Sequence, residues 1–256
     1  MKRLQGMNAL ITGAASDKGI GRAIAHAFAR EGARVACVDI DLAGCKETAR
    51  QIVSQGGVAT ALQADVSCSK DVQQAVQQAI GQLDGLDILV NNAGFVRFAY
   101  LLDVSQELWE RTLAVNLTGY FLFSQAVARH MAAQSRPGNI INISSVSADR
   151  ASIQKGHYCV SKAGVKMLTE SFAMELASKG IRVNAIAPGD IETNIVQDDS
   201  IKKQVAETDF KKAVPLERRG LPGDIIGAAV FLASHESAYI TGTTITVDGG
   251  LSTGLK

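Results

Sequence analysis

Residues 7–40 read MNALITGAASDKGIGRAIAHAFAREGARVACVDI, and this stretch decides the fold. The apolar run from Met7 to Thr12 leads into a glycine-bearing loop, after which apolar residues recur at helical spacing. Gly32 ends that helix, and Arg34 to Ile40 is a short β-branched run with an acidic residue near its end. The stretch therefore predicts a strand, a helix and a second strand parallel to the first.

The same alternation of strands and helices continues along the chain. Further strands are predicted at Val58 to Leu62, Leu86 to Val90, Asn139 to Ile143, Arg182 to Ala187 and Thr243 to Val247. Helices are predicted between most of them, at 41–55, 69–82, 105–134, 157–179 and 222–234. Because each crossover must return over the sheet, we predict a doubly wound parallel sheet in a three-layer α/β/α fold. We expect residues 1–256 to form a single domain.

The composition argues against several classes of protein. A formal net charge of +1 provides no basic surface to attract nucleic acid or an anionic membrane, so we expect a small-molecule partner. The four cysteines form no C-x-x-C pair, so neither a metal site nor a disulfide framework is expected. The chain has no secretory signal pattern and no apolar run of 18 residues, and we expect it to be cytoplasmic.

The loop between the first strand and the first helix is a candidate phosphate-binding site. It reads TGAASDKGIG from Thr12 to Gly21 and ends where a helix offers free N–H groups and the positive end of its dipole. Its spacing departs from G-x-G-x-x-G, and a tight turn is the alternative. Asp39 lies 18 residues after Gly21, close to the spacing of the carboxylate that accepts the ribose hydroxyls of NAD; a helix-capping role is the alternative. The glycine loop and Asp39 together favour a dinucleotide cofactor.

Three further motifs follow predicted strands or open a predicted helix. They are the NNAG sequence from Asn91 to Gly94, the pair Ser144-Ser145, and YCVSK from Tyr158 to Lys162. Together with the TGx(5)GIG loop and with YITG and VDGG near the end, they resemble the short-chain dehydrogenase/reductase family over nearly the whole chain. The resemblance implies a Rossmann fold and an oxidoreductase that transfers a hydride between NAD(H) and the alcohol or carbonyl group of a small molecule.

The resemblance also implies the site residues. The catalytic set is Asn116, Ser145, Tyr158 and Lys162. Ser145, with Ser144 as its alternative, would hold the substrate oxygen, and Asn116 would hold a water that connects the lysine with solvent; a bond within its own helix is the other possibility for Asn116. The implied cofactor-binding residues are Gly13, Ser16, Asp17, Lys18, Gly19, Ile20, Asp39, Asp65, Val66, Asn91, Ala93, Gly94, Tyr158, Lys162, Pro188, Gly189, Ile191 and Thr193.

Tyr158 and Lys162 are the expected acid/base pair. Four residues apart on a helix, they share a face, so the ammonium group can stand near the phenol. A free phenol titrates near pH ~10, but a nearby cation and a positive nicotinamide ring both favour the phenolate. We therefore expect the pKa of Tyr158 to be lowered toward the working range; an ordinary surface pair is the alternative.

The choice between NAD and NADP depends on two residues of opposite charge. Asp17 and Lys18 make the loop two residues longer than the commoner family form, and Lys18 stands where NADPH-dependent members often carry a cation. Asp39 would repel the 2′-phosphate of NADP, whereas Lys18 is flexible and can point to solvent. We expect NAD, with NADP less favoured.

Two predictions concern regions outside this site. The segment 190–215 has no obvious element and is interpreted as a substrate lid or as a surface excursion with one short helix, since Ile201, Val205 and Phe210 have amphipathic spacing. The helix 157–179 carries two apolar stripes, one through Val160 and Met167. The sheet can cover one stripe, so a homo-oligomer, dimer or tetramer, or a neighbouring helix of the same chain is expected to cover the other.

Two other functions remain open. A 3-oxoacyl thioester reductase of this family shares the fold and the catalytic residues, but it would normally use NADPH and have a basic entrance to its site. Asp39 and the neutral charge balance argue against this alternative. A non-catalytic nicotinamide-binding scaffold or redox sensor predicts a damaged Ser, Tyr or Lys, and all three are intact. For the favoured enzyme, a polyol, a sugar or a hydroxy acid is the expected substrate class.

Overall fold

The computed structural model describes residues 2–196, 198–199, 201, 203 and 208–253. Seven parallel strands form one sheet in the order β3-β2-β1-β4-β5-β6-β7. The strands are β1 Asn8–Thr12, β2 Arg34–Asp39, β3 Val58–Gln63, β4 Ile88–Asn91, β5 Gly138–Ile143, β6 Ile181–Pro188 and β7 Thr244–Val247. This is the doubly wound parallel sheet that the alternating pattern predicts.

Helices cover both faces of the sheet. They are α1 Ile20–Arg30, α2 Leu42–Ser54, α3 Ser69–Leu83, α4 Gln106–Leu113, α5 Gly119–Ala133, α6 Gly156–Leu176, α7 Phe210–Ala213 and α8 Pro222–Ala233. One face packs on α1, α2 and α8, and the other packs on α3, α5 and α6. Because both faces are covered, the inner strands are almost entirely buried and read as continuous apolar runs.

The topology places a crevice between β1 and β4. The chain runs outward from β1 through β2 to β3, then crosses back to β4 and continues to the opposite edge. The helices that follow β1 and β4 lie on opposite faces of the sheet, so the loops after these two strands diverge. In open α/β sheets, ligands bind at such a point, beyond the carboxyl ends of the strands.

The predicted helix 105–134 is interrupted in its middle. Between α4 and α5, residues Ala114–Thr118 form a π-helical turn that contains Asn116. The side chain of Asn116 reaches outside its helix to the backbone of Phe95, so the bond within the helix that was the alternative is not what forms. Single π turns of this kind occur frequently at functional sites.

The region predicted as a lid contains more structure than its sequence indicates. Ile191 pairs with Gly220 through an isolated β-bridge, and α7 is the short helix that one of the two interpretations included. Val205, part of the predicted amphipathic pattern, lies outside the described residues.

Three further features of the described residues concern disulfides, metal sites and membrane spans. All four cysteines are free thiols. Among the residues described, no group of His, Cys, Asp and Glu is arranged to hold a metal ion. The described helices include none with the length and apolar character needed to span a bilayer.

Candidate active site

A cleft of about 850 Å³ opens at the carboxyl ends of β1 to β4. That volume lies within the range of small-molecule sites. The walls of the cleft come from the glycine loop, the ends of β2 and β3, the segment after β4, and the segment after β6. Its lining residues include Gly13, Ser16, Gly19, Ile20, Asp39, Asp65, Val66, Ala93, Gly94 and Thr193, all of which the sequence analysis names.

The glycine loop is built around close backbone contacts. Gly13 has a φ of +68°, and a Cβ atom there would lie 2.6–2.9 Å from Asn92 and Ala93. The Asn92 side-chain amide donates to the carbonyl oxygens of Thr12 and Gly13, each at 3.0 Å. The Thr12 hydroxyl accepts from the backbone N–H groups of Asn92 and Ala93. These bonds join the loops after β1 and β4 into one rigid wall of the cleft.

The two extra residues of the glycine loop face the segment after β6. The Asp17 carboxylate accepts a hydrogen bond of 2.8 Å from the Asn194 side chain. The Nζ atom of Lys18 lies 4.0 Å from Oε1 of Glu192. Asp17 and Lys18 are not among the residues that line the cleft. The loop insertion therefore contacts the start of the region predicted as a lid.

Two acidic residues line the far end of the cleft. Asp39 ends β2, and its carboxylate accepts from the backbone N–H groups of Ala15, at 3.1 Å, and Asp41, at 3.2 Å. Asp65 accepts from both the hydroxyl and the backbone N–H of Ser67 and pairs with Arg111 at 3.3 Å. Its neighbours hold the pKa of Asp65 below the ordinary value, against the opposing effect of burial.

Ser145, Tyr158 and Lys162 come together between β5 and α6. Ser145 lies beside Tyr158, whose pKa its side chain lowers, while Ser144 donates its own hydroxyl to the Lys162 carbonyl. Ser145 is therefore the serine that faces the tyrosine, and its catalytic role stays a prediction. The Nζ atom of Lys162 lies 5.8 Å from the centre of the Tyr158 ring.

The pKa of Tyr158 differs from the expected direction. Burial raises it to about 12, and the side chain of Ser145 only partly opposes this effect. Burial also lowers the pKa of Lys162 to about 7. Both changes have one cause, since a desolvated site disfavours the charged form of either group. The lowering expected from the lysine together with a positive nicotinamide ring stays a prediction.

Asn116 links this group with the cleft. Its side-chain oxygen accepts from the Phe95 backbone N–H at 2.8 Å, and its amide donates to the Phe95 carbonyl at 2.8 Å and to the Ser161 hydroxyl at 3.2 Å. Phe95 lines the cleft, whereas Ser145, Tyr158 and Lys162 do not. Asn116 therefore fixes the cleft wall relative to the helix that carries the tyrosine and the lysine.

Besides Asp17, Lys18, Tyr158 and Lys162, four more of the predicted cofactor residues do not line the cleft. Asn91 is buried, and its amide donates to Ser124 and Asn142. Ile191 is buried in the core that contains α1 and α8. Pro188 ends β6, and Gly189 follows it, packed so closely that a Cβ atom would lie 2.6 Å from that of Asp248. Asn91 and Ile191 can reach a cofactor only through their backbone atoms.

The structure adds residues that the sequence analysis does not name as site residues. Ile40, Ala64, Asn92 and Arg111 line the cleft. Tyr120 contacts Lys162. The signal for Tyr120 is present in the sequence, because it follows Asn116 by one helical turn and so shares its face. Arg111 has no such signal, because its partner Asp65 is remote in sequence.

Comparison with known proteins agrees with this architecture. The family model described as enoyl-(acyl carrier protein) reductase matches residues 13–252. Glucose 1-dehydrogenase 2 of Bacillus subtilis (strain 168) is 40% identical over 255 residues, which cover 98% of this chain and 96% of that protein. Sorbitol dehydrogenase of Cereibacter sphaeroides is 39% identical over 256 residues, which cover 97% and 98%.

Solved structures show the same relationship. The crystal structure of a short-chain type dehydrogenase/reductase from Mycobacterium marinum matches with a TM-score of 0.92 at 39% sequence identity, and the match covers 98% of this chain and 97% of that one. Fold, motif order and sequence identity thus agree along nearly the whole length. The chain belongs to the short-chain dehydrogenase/reductase family and is an NAD(P)-dependent oxidoreductase that acts on CH–OH groups.

Proposed function

We propose that the protein oxidises a secondary hydroxyl group of a sugar, a polyol or a hydroxy acid, with NAD as the hydride acceptor. The observation that carries this proposal is the placement of Ser145 and Lys162 beside Tyr158. A hydroxyl donor, a proton acceptor and a cation are the groups needed to remove a proton from an alcohol. The relatives named for glucose and sorbitol support the substrate class.

The cleft fits a dinucleotide cofactor. The glycine loop leaves no space for side chains at Gly13, Gly19 and Gly21, so the backbone is bare where a pyrophosphate would approach the start of α1. Asp39 and Asp65 would hold the adenosine end. Lys162 and Tyr158 would hold the nicotinamide ribose. The remaining contacts are assigned to Ser16, Asp17, Lys18, Ile20, Val66, Asn91, Ala93, Gly94, Pro188, Gly189, Ile191 and Thr193.

NAD is favoured over NADP because of the charges at the cleft. The Asp39 carboxylate lines the cleft and would repel a 2′-phosphate, while its oxygens can accept ribose hydroxyls. Lys18, the cation that would favour NADP, lies near Glu192 instead. An exposed pair of this kind is weak, so Asp39 is the stronger of the two influences.

The proposed mechanism assigns one task to each residue. The bound cofactor supplies the hydride acceptor and a positive ring. Ser145 donates a hydrogen bond to the substrate oxygen and orients it, and Tyr158 takes the hydroxyl proton at its phenolic oxygen. Lys162 stabilises the phenolate, and Asn116 keeps α6 in register with the cleft wall. In the reverse direction, Tyr158 returns the proton to the carbonyl oxygen.

One alternative is supported by a specific residue. Lys18 at the glycine loop favours an NADPH-dependent 3-oxoacyl thioester reductase, which would use the same Ser145, Tyr158 and Lys162. The non-catalytic scaffold is less well supported, because the three catalytic side chains are mutually arranged for proton transfer.

We propose a cytoplasmic homotetramer or homodimer that uses the outer face of α6. The side chains of Val160, Met167 and Met174 are 49%, 60% and 86% exposed, respectively, and form one stripe along this helix. The opposite stripe, through Val165, is buried. An apolar stripe of this length on a soluble enzyme supports an interface with a second copy. We propose no nucleic-acid or membrane partner.

We also propose that the segment 190–215 is a substrate lid. Thr193, Asn194, Ile195 and Val196 line the cleft, and Asn194 and Glu192 contact the glycine loop. A segment held by these polar contacts on an open cleft can separate from the loop at small energetic cost.

The test is a fluorescence titration with NADH and with NADPH, followed by an absorbance screen of alcohols and ketones with the preferred cofactor. Tighter binding of NADH and turnover of a sugar or polyol are the expected results. Tighter binding of NADPH together with turnover of a 3-oxoacyl thioester would replace this proposal by the reductase. Binding without turnover across both substrate classes would favour the scaffold.

A further inference from the structure

Tyr120 is a buried tyrosine to which the proposed mechanism gives no task. It lies in the first turn of α5, and only 1% of it is exposed. Its hydroxyl donates a hydrogen bond of 3.0 Å to the carbonyl oxygen of Ile143, the last residue of β5. A buried phenol needs a partner, and this carbonyl alone satisfies its donor.

The same hydroxyl also accepts a hydrogen bond from Lys162. The Nζ atom of Lys162 donates to the Ile143 carbonyl at 2.8 Å and to the Tyr120 hydroxyl at 3.3 Å. Because the Tyr120 hydroxyl donates its hydrogen bond to the Ile143 carbonyl, its oxygen lone pair can accept a hydrogen bond from the ammonium group of Lys162. Nζ also lies 4.9 Å from the centre of the Tyr120 ring, within the range of a cation–π contact. Tyr120 therefore contacts the lysine through both its hydroxyl and its ring.

The surroundings of Lys162 make these contacts important. Of the acidic side chains that the structure describes, none forms an ion pair with Lys162, which is 3% exposed. The polar groups around it are Tyr158 on its own helix, the Ile143 carbonyl from β5 and Tyr120 from α5. The side-chain amide of Asn116, in the π turn, donates its hydrogen bonds to Phe95 and Ser161. Burial raises the pKa of Tyr120 well above its ordinary value, so Tyr120 stays a neutral phenol.

We propose that Tyr120 is a positioning residue for Lys162: its hydroxyl and its ring hold the ammonium group beside Tyr158 and keep it charged. The inference rests on the proposed role of Tyr158 in proton transfer and extends that role to a second tyrosine. Tyr120 itself does not line the cleft, and it acts only through the lysine.

A purely structural role makes a different prediction. Phenylalanine fills nearly the same volume as tyrosine and keeps the ring beneath Nζ, so Tyr120→Phe removes only the hydroxyl. If Tyr120 serves packing alone, the variant changes stability and leaves the ionisation of Lys162 unchanged. If Tyr120 positions the lysine, the charged form of Lys162 loses a hydrogen-bond acceptor and its pKa falls.

The ionisation of Lys162 can be measured without any substrate. With lysine labelled at ¹³Cε, the Lys162 signal is the one that disappears in Lys162→Met. Burial lowers the pKa of Lys162 to about 7, so we expect this signal to titrate well below those of exposed lysines. We expect its pKa to fall by roughly one unit in Tyr120→Phe, the loss expected for one hydrogen bond to a charged group. Tyr239→Phe, the same chemical change at an exposed tyrosine, is the matched control and should leave the signal in place. An unchanged Lys162 titration in Tyr120→Phe overturns the proposal.

Activity gives a second readout. With the alcohol that wild type oxidises best, kcat of Tyr120→Phe should fall roughly tenfold. The acid limb of its pH profile should move to higher pH, because a less charged lysine supports the phenolate less. Wild-type kinetics in Tyr120→Phe contradict the positioning role. If wild type itself oxidises no alcohol, the proposed function fails, and the lysine titration still decides the role of Tyr120.

Discussion

Gly21, in the first turn of α1, lies directly against the carbonyl oxygen of Gly13, and no space remains there for a methyl group. A Cβ atom at Gly21 would also lie 2.5 Å from the side-chain amide of Asn92. The helix therefore starts as close to the end of β1 as its backbone allows. The contact between Gly21 and Gly13 therefore fixes how close the N-terminus of α1 lies to the cleft.

Gly21→Ala is expected to destabilise the protein by about 1–3 kcal/mol, the usual cost of forcing a methyl group into a packed site. Gly81→Ala is the matched control, since Gly81 lies in helix α3 with open space where the new Cβ would be. That substitution should instead stabilise by about 0.5–1 kcal/mol, because alanine favours the helix. Urea denaturation of both variants measures the difference. Equal effects on stability at the two positions would show that helix propensity, and not the contact with Gly13, determines the effect of Gly21→Ala.

Tyr158→Phe is expected to lower kcat by at least about a hundredfold, the lower end of what general acid–base catalysis contributes. The ring remains in place, so the Kd for NADH, measured by fluorescence titration, should stay close to that of wild type. Tyr239→Phe, at a fully exposed position, should retain wild-type kcat. Wild-type turnover by Tyr158→Phe would remove the proton-transfer role from this residue.

The fold is predictable because its strands are buried on both faces. A strand such as β5 must then carry a nearly continuous apolar run, as Ile140, Ile141 and Ile143 do, and the intervening helices show their own spacing. The proposed catalytic side chains come together for a related reason. Ser145, Tyr158 and Lys162 lie at the carboxyl end of one strand and in the next helix, so short-range spacing brings them together.

Contacts between distant elements leave no trace in such spacing. Arg111 in α4 pairs with Asp65, which follows β3 and stands 46 residues earlier in the chain, so no local spacing reveals this pair. The π turn likewise depends on Asn116 reaching the backbone of Phe95. The pKa of Tyr158 adds a third case, because spacing reveals the neighbouring cation but not the depth of burial, which raises this pKa.

Asp39→Asn is expected to weaken NADH binding roughly tenfold and to strengthen NADPH binding, because the amide keeps the shape of the side chain but removes the charge that repels the 2′-phosphate. Asp41→Asn is the matched control. Asp41 stands two residues away, accepts from Gly44 at the start of α2, and does not line the cleft. Paired titrations of the two variants with both cofactors give the ratio directly. A ratio unchanged in Asp39→Asn would assign cofactor choice to another residue.

Lys162 makes stability depend on pH. Burial lowers its pKa to about 7 in the folded protein, whereas a lysine in an unfolded chain titrates near about 10.4. Between these values the unfolded chain binds one more proton, so the free energy of unfolding rises with pH. Below the lower value both states carry the proton, and the cost of burying the charge is constant.

Lys162→Met lacks this dependence. Its stability advantage over wild type should be largest below about pH 7 and should shrink by about 1.4 kcal/mol per pH unit above it. Lys166→Met, one turn further along α6, is the control. Asp149 hydrogen-bonds Lys166 and raises its pKa, so Lys166 keeps its proton in both states and the difference from wild type should stay flat. Urea denaturation at several pH values between about 6 and 9 measures both differences. A flat difference for Lys162→Met as well would mean that Lys162 remains charged inside the folded protein, held by Tyr120 and Ile143 more strongly than burial opposes it.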